Sequence, residues 1–229
     1  MNAEEVLAHL NSISDRTRLE GMSRYGIKVD LALGVSMPEM RAFARSLGKD
    51  HGLAMDLWRT GVHEARIMAS LLADPELLTE DQMEEMVRDL DSWDVCDQCC
   101  SNLFSRSPLA VGKALEWSKR EDEYQKRAGF ATMAALAVHR KGLGDHELAL
   151  LLEAVVRESH DERNYVRKAV NWALRQIGKR DQRSNNLAIE AAETAMAKGD
   201  RSSKWVASDA LRELRSEAVQ ERLKSRQGR

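Results

Sequence analysis

Asp97 is the residue in this chain whose setting most invites chemistry. Read as a helix, the stretch Asp91-Ser92-Trp93-Asp94-Val95-Cys96-Asp97-Gln98-Cys99-Cys100-Ser101-Asn102-Leu103-Phe104 puts Cys96, Cys99, Cys100 and Leu103 on one apolar face, at about 100° per residue. Trp93 precedes Asp97 by one turn, so indole and carboxylate share a strip that borders that face. A carboxylate held beside an indole is partly out of water, and burial of a lone charge costs several kcal/mol or shifts its pKa. Two readings stand: an anion kept for chemistry, or an Asp that salt-bridges a neighbouring helix.

A second candidate surface lies on the stretch from Arg163 to Gly178. Val166, Ala169, Val170, Ala173, Leu174 and Ile177 make its apolar face. Tyr165, Lys168, Trp172, Arg175 and Lys179 fall in one sector opposite, so Trp172 is expected to point away from the local core, among cations. Cations with interleaved aromatics suit phosphate and sugar contact; a Trp packed on the next helix with cations on its ring is the alternative. In the stretch from Asp122 to Arg140 the apolar stripe is Tyr124, Ala128, Ala131, Ala134, Ala135 and Val138. Arg127 projects onto its edge, where a guanidinium calls for a carboxylate, with Asp97 as the candidate, or a phosphate; otherwise it snorkels along the alanines to solvent.

Other motifs are weaker. Cys96-x-x-Cys99 has no second Cys pair and the six His are scattered, so no tetrahedral metal site is expected. His63-Glu64 lacks the second His of a metalloprotease helix and reads as a helix start. Trp58, Trp117 and Trp205 read as packing residues, with Trp205 beside Lys204 and Arg201 able to flank a basic face. No Walker loop, dinucleotide fingerprint or placed Ser nucleophile is present.

The elements that position these residues are helices throughout. Only 3 Pro and 13 Gly in 229 residues permit long uninterrupted helices. Periodicity predicts helices over 3–13, 15–23, 37–48, 51–60, 63–73, 80–89, 91–104, 108–119, 122–140, 145–158, 162–178, 183–198 and 202–223. Ser36-Met37-Pro38-Glu39 and Thr79-Glu80-Asp81-Gln82 are capping boxes, and Gly142, Gly144 and Asp145 break the chain. A dozen short-linked amphipathic helices predict an all-α, HEAT-like α-solenoid, a curved superhelix of antiparallel helix pairs, in a single domain over 1–229, with a pair period of about 35–45 residues. A compact bundle is the competing architecture.

No apolar run is long enough to span a membrane. The acidic start, Met1-Asn2-Ala3-Glu4-Glu5, lacks a signal-peptide core, and three clustered Cys suit a cytoplasmic protein. The net charge of −2 is unevenly spread: residues 74–98 carry ten acids against Arg88 alone, while 160–229 carry an excess of Lys and Arg. A basic half can bind phosphate locally even on a near-neutral chain.

Taken together, Ser92-Trp93-Asp94-Val95-Cys96-Asp97, Tyr124-Gln125-Lys126-Arg127-Ala128 and Tyr165-Val166-Arg167-Lys168-Ala169-Val170-Asn171-Trp172-Ala173-Leu174-Arg175 resemble the DNA alkylation repair family of HEAT-like glycosylases, the alkylpurine DNA glycosylase D group. Tyr25-Gly26-Ile27, Gly34-Val35-Ser36-Met37-Pro38 and Leu57-Trp58 extend the resemblance towards the N-terminus. It implies a monomeric α-solenoid that removes cationic N3- and N7-alkylated purines from double-stranded DNA without flipping the base, and without metal or organic cofactor. It also implies roles: Asp97 as the catalytic carboxylate, Trp93 and Trp172 flanking the lesion's deoxyribose, Arg127 at the backbone phosphate, and Tyr25 as the candidate for the N-terminal aromatic on the DNA. The basic sector of Tyr165, Lys168, Arg175 and Lys179, read from the helix itself, is the expected DNA-binding face beside them. Asn164-Tyr165 stands where relatives carry a more aromatic pair. A DNA-binding or protein-interaction scaffold without catalysis remains the alternative, since fold does not settle function.

Overall fold

The computed structural model describes residues 1–227 and is built from α-helices, with no strand among those residues. Gly228 and Arg229, the end of the basic segment, lie outside them. No helix among the described residues is long and apolar enough to cross a membrane. The chain divides into two compact units, residues 1–108 and 109–229.

The first unit holds α1 (Ala3–Ser12), α2 (Thr17–Arg24), α3 (Met37–Leu47), α4 (His51–Arg59), α5 (His63–Leu72), α6 (Glu80–Arg88) and α7 (Trp93–Asn102), followed by a 3₁₀ turn over Phe104–Arg106. α5 is central: it packs against α3, α4 and α7. Both expected capping boxes form, Ser36 with Glu39 and Thr79 with Gln82, and each satisfies backbone N–H groups that a helix start leaves orphaned. A third forms between Asn2 and Glu5. Trp58 is buried, as expected of a packing residue; its indole N–H donates to Asp89 at 3.0 Å and the Arg66 guanidinium lies over its ring.

The second unit holds α8 (Ala110–Trp117), α9 (Glu123–His139), α10 (Asp145–Glu158), α11 (Asn164–Gly178), α12 (Gln182–Ala197), α13 (Arg201–Leu214) and α14 (Glu217–Gln227). α11 packs on both α9 and α13, while α10 packs on both α8 and α12. Contact between every second helix, as well as between neighbours, is how stacked helical pairs share a continuous core. The fold is all-α and HEAT-like. Successive pairs begin at His51, Glu80, Ala110, Asp145 and Gln182, closer together in the first half than the 35–45 residues expected.

Three local expectations need correction. The predicted helix over 202–223 is two helices, because Ser216 starts α14 with its hydroxyl towards the N–H of Val219. The helix predicted over 91–104 runs only over Trp93–Asn102. α9 is buried on all sides from Lys126 to Ala137, whereas Val138, placed on its apolar stripe, is exposed. Its glycine is needed for that burial: a Cβ at Gly129 would stand 2.6 Å from the Ser118 nitrogen and 2.9 Å from the Ala114 oxygen of α8 and its C-terminus.

Candidate functional site

In the first unit, α7 carries Trp93 at its first position and Asp97 one turn later, both half-buried. Cys96, Cys99 and Cys100 are buried thiols on the apolar face that this strip borders, as their periodicity predicted. Burial holds the Cys99 thiol well above its ordinary range, so it is a packing group rather than a nucleophile. The indole N–H of Trp93 donates to the backbone carbonyl of Tyr25 at 3.0 Å. Tyr25 caps the C-terminus of α2 and is 76% exposed. One hydrogen bond thus joins two of the expected site residues and fixes the indole edge.

The start of α7 is held by a buried charge chain whose members lie too far apart in sequence to form a local motif. His63, first in α5, places Nε2 2.8 Å from Oδ2 of Asp94, and Asp94 also accepts from the Ser92 hydroxyl at 2.5 Å. Glu64 is fully buried and accepts backbone N–H groups from Leu33, Gly34 and Val35. Burial works against a charged His63, but the hydrogen bond to Asp94 and the Glu64 carboxylate 3.6 Å from Nδ1 outweigh burial and raise its pKa to about 9. Asp94 and Glu64 are both held below the ordinary carboxylate range; burial opposes this, and the adjacent His63 charge outweighs it, helped by the Ser92 hydroxyl at Asp94 and the backbone N–H groups at Glu64. Asp94 is therefore a structural anion paired to an imidazolium, and its residue type beside Trp93 does not identify it as catalytic.

A cleft of about 170 Å³ lies next to this chain, lined by Lys28, Asp30, Leu31, Gly61, His63, Arg66, Asp91 and Val95. Lys28 pairs with Asp91 at 2.8 Å, and Arg66 faces Asp89 and Asp91 at 3.5 and 3.7 Å. Its cations are thus answered by acids of the 74–98 block.

In the second unit, α9 grips the start of α11. Glu123 accepts the Tyr165 N–H at 3.3 Å, the Arg127 guanidinium donates to the Tyr165 carbonyl at 2.6 Å, and the Tyr124 and Tyr165 rings stack at 5.7 Å. Arg127 is only 6% exposed, so it does not snorkel to solvent. Beside it, Lys126 pairs with Glu158 at 2.8 Å and with Asp161 at 3.4 Å. Three of the expected site positions, Tyr124 aside, are hence joined through backbone: Arg127 to Tyr165, and Tyr165 through α11 to Trp172.

Trp172 is half-buried and packs against the hydrophobic core of this unit. The expectation that it points well away from the core is corrected: its ring is long enough to reach the core from the flank of α11. Of its three cations, Lys168 is exposed, but Arg175 and Lys179 reach α13 and bond Glu213 at 2.5 and 2.7 Å. Those two charges are largely balanced by Glu213 and by Asp209 at 3.8 Å from Arg175. Trp117 is buried as expected of a packing residue, whereas Trp205 is 39% exposed. Among the described residues no group of three or more His, Cys, Asp or Glu is arranged to hold a metal.

A comparison with curated proteins finds no match. One solved structure, described as "a new family of proteins related to the HEAT-like repeat DNA glycosylases with affinity for branched DNA structures", superposes with a TM-score of 0.76 at 21% identity, covering 85% of this chain and 83% of its own. That likeness supports the HEAT-like helical fold. Residues 6–214 match the family described as "DNA alkylation repair enzyme"; the match runs through both units, and the chain belongs to that family.

Proposed function

We propose that this protein is a monofunctional DNA glycosylase that hydrolyses the N-glycosidic bond of cationic N3- and N7-alkylated purines in duplex DNA, without drawing the base into a pocket. The observation that carries this reading is the pairing of Trp93 and Asp97 on one turn of α7, in a chain matched to the DNA alkylation repair family over residues 6–214. The roles follow the family resemblance. Asp97 is the catalytic anion, Trp93 and Trp172 present indoles to the lesion's deoxyribose, and Arg127 supports the backbone phosphate. Tyr25, Tyr165, Lys168, Arg175 and Lys179 supply further DNA contact.

The chemistry fits those groups. An alkylated purine already bears positive charge, so the C1′–N bond can break with its electron pair leaving on a neutral base, and no strong general acid is required. Positive charge grows on the sugar as it does so. A fixed carboxylate beside that charge stabilises the transition state and orients water to add at C1′, while the water proton passes to the carboxylate or to solvent. An indole face adds cation–π attraction to the same charge. The reaction calls on neither metal nor organic cofactor. The test is release of 7-methylguanine or 3-methyladenine from methylated duplex under single turnover, with Asp97→Asn as the control.

A second reading is DNA binding without base excision, and the branched-DNA affinity ascribed to the structural relative favours it. Salt-sensitive binding to duplex or junction DNA with no base released from any alkylated substrate is its expected outcome.

A further inference from the structure

α13 presents a face that the glycosylase reading does not use. Arg201, Lys204, Trp205, Ser208 and Arg212 recur at helical spacing and are exposed, while Ser202, Ser203, Val206, Ala207, Ala210 and Leu214 are buried behind them. The Arg167 guanidinium of α11 lies 4.6 Å from the centroid of the Trp205 ring, yet 39% of that residue stays open to solvent. The acids of α13 are already engaged. Asp200 caps the helix through the Ser203 N–H, Asp209 pairs with Arg175 and Arg212, and Glu213 with Arg175 and Lys179. Arg201, Lys204, Arg167 and Lys168 form no ion pair among the described residues. The result is a surplus of positive charge around an open indole.

A single exposed Trp needs no explanation by itself. What sets this one apart is the guanidinium on one side of its ring and the cations that flank it along the helix. Duplex DNA keeps its bases stacked inside and offers an indole on a phosphate-binding face no π-surface to meet. A single-stranded segment does, since an unpaired base stacks on an aromatic ring while cations follow its backbone. We infer that the Arg167–Trp205 face of α13 binds a single-stranded DNA segment by stacking one unpaired base on the indole, with Lys204, Arg201 and Lys168 on the flanking phosphates. This rests on the reading of the chain as a DNA-binding protein, and it adds a substrate class: duplex carrying an unpaired arm or gap.

The test compares the full chain with Trp205→Ala and Trp205→Phe on two fluorescent probes, a plain duplex and the same duplex with a single-stranded arm, by anisotropy at fixed salt. The expected result is that Trp205→Ala weakens armed-duplex binding about tenfold, the size of one lost base stack, and leaves plain-duplex binding and release of alkylated base within about twofold of the parent. Trp205→Phe, which keeps a ring, recovers most of the armed-duplex affinity and guards against a folding defect in the Ala variant. Equal losses on both probes, or no loss on either, would overturn the inference while leaving the glycosylase reading intact. A protein that binds both probes normally yet releases no alkylated base would remove the glycosylase reading and leave this face standing.

Discussion

The indole N–H of Trp93 donates to the carbonyl of Tyr25 at 3.0 Å, across 68 residues of sequence. The bond fixes which edge of the ring is occupied, so the orientation of the indole on α7 is set by the end of α2. Trp93→Phe keeps an aromatic ring and removes the donor. It should destabilise the protein by about 1 kcal/mol in denaturant titration, the usual worth of one such bond, and slow base release beyond what that loss of stability explains. A variant as stable as the parent would mean that the bond does not fix the ring.

His63 makes stability depend on pH in the alkaline direction. Its folded pKa, about 9, lies above the ordinary 6.5, so the stabilisation it brings is present in full below pH 6.5 and is lost as pH rises through about 9. The shift corresponds to roughly 3 kcal/mol. Asp94 and Glu64 act in the other direction, since their lowered pKa values matter only in acid. Thermal melts should therefore fall between pH 6.5 and 9.5, and His63→Gln should flatten that decline. A parent protein equally stable at both ends would show that the imidazolium pair does not form.

Arg127 holds the Tyr165 carbonyl from a site that is 6% exposed. Truncation to Ala should remove this charge-assisted bond and cost about 1.5–3 kcal/mol. The Tyr124–Tyr165 stack should loosen with it, read as a loss of near-ultraviolet circular dichroism. Arg127→Lys should recover only part, because an ammonium cannot reproduce the planar fork.

Glu213 decides how much of the α11 face remains basic. Lys168→Ala should lower the slope of log affinity against log salt by about one unit. Arg175→Ala should lower it by less, since Glu213 and Asp209 already balance that charge. Glu213→Gln should tighten duplex binding by releasing Arg175 and Lys179. Slopes that fall equally for Lys168→Ala and Arg175→Ala would show that the ion pairs open on DNA.

The helices were legible because local chemistry writes them. Ser36 with Glu39 and Thr79 with Gln82 mark starts by residue type and spacing, and the buried face of α11, from Val166 to Ile177, follows its period. The break before α14 carried a weaker signal, Ser216 with Val219 rather than Glu or Gln three residues on, and the apolar period runs past it and masks it. Of the candidate site, the turn that joins Trp93 to Asp97 is local and was readable. The partners of Arg175, Lys179 and Arg127 were not, because Glu213 and the Tyr165 carbonyl lie 34 to 38 residues away and only tertiary packing selects them. His63 and Asp94 are 31 residues apart, and neither forms a motif with its own neighbours. Trp172 misled for a simpler reason: helical angle gives the direction of Cβ, while a large ring reaches across to a face its Cβ does not point at.

The central claim concerns a single carboxylate. Single-turnover release of 7-methylguanine from methylated duplex by Asp97→Asn measures it directly, with binding to the same duplex followed in parallel. The account predicts release at least tenfold slower, a barrier higher by about 1.4 kcal/mol or more, with affinity unchanged. Release at the parent rate would contradict it.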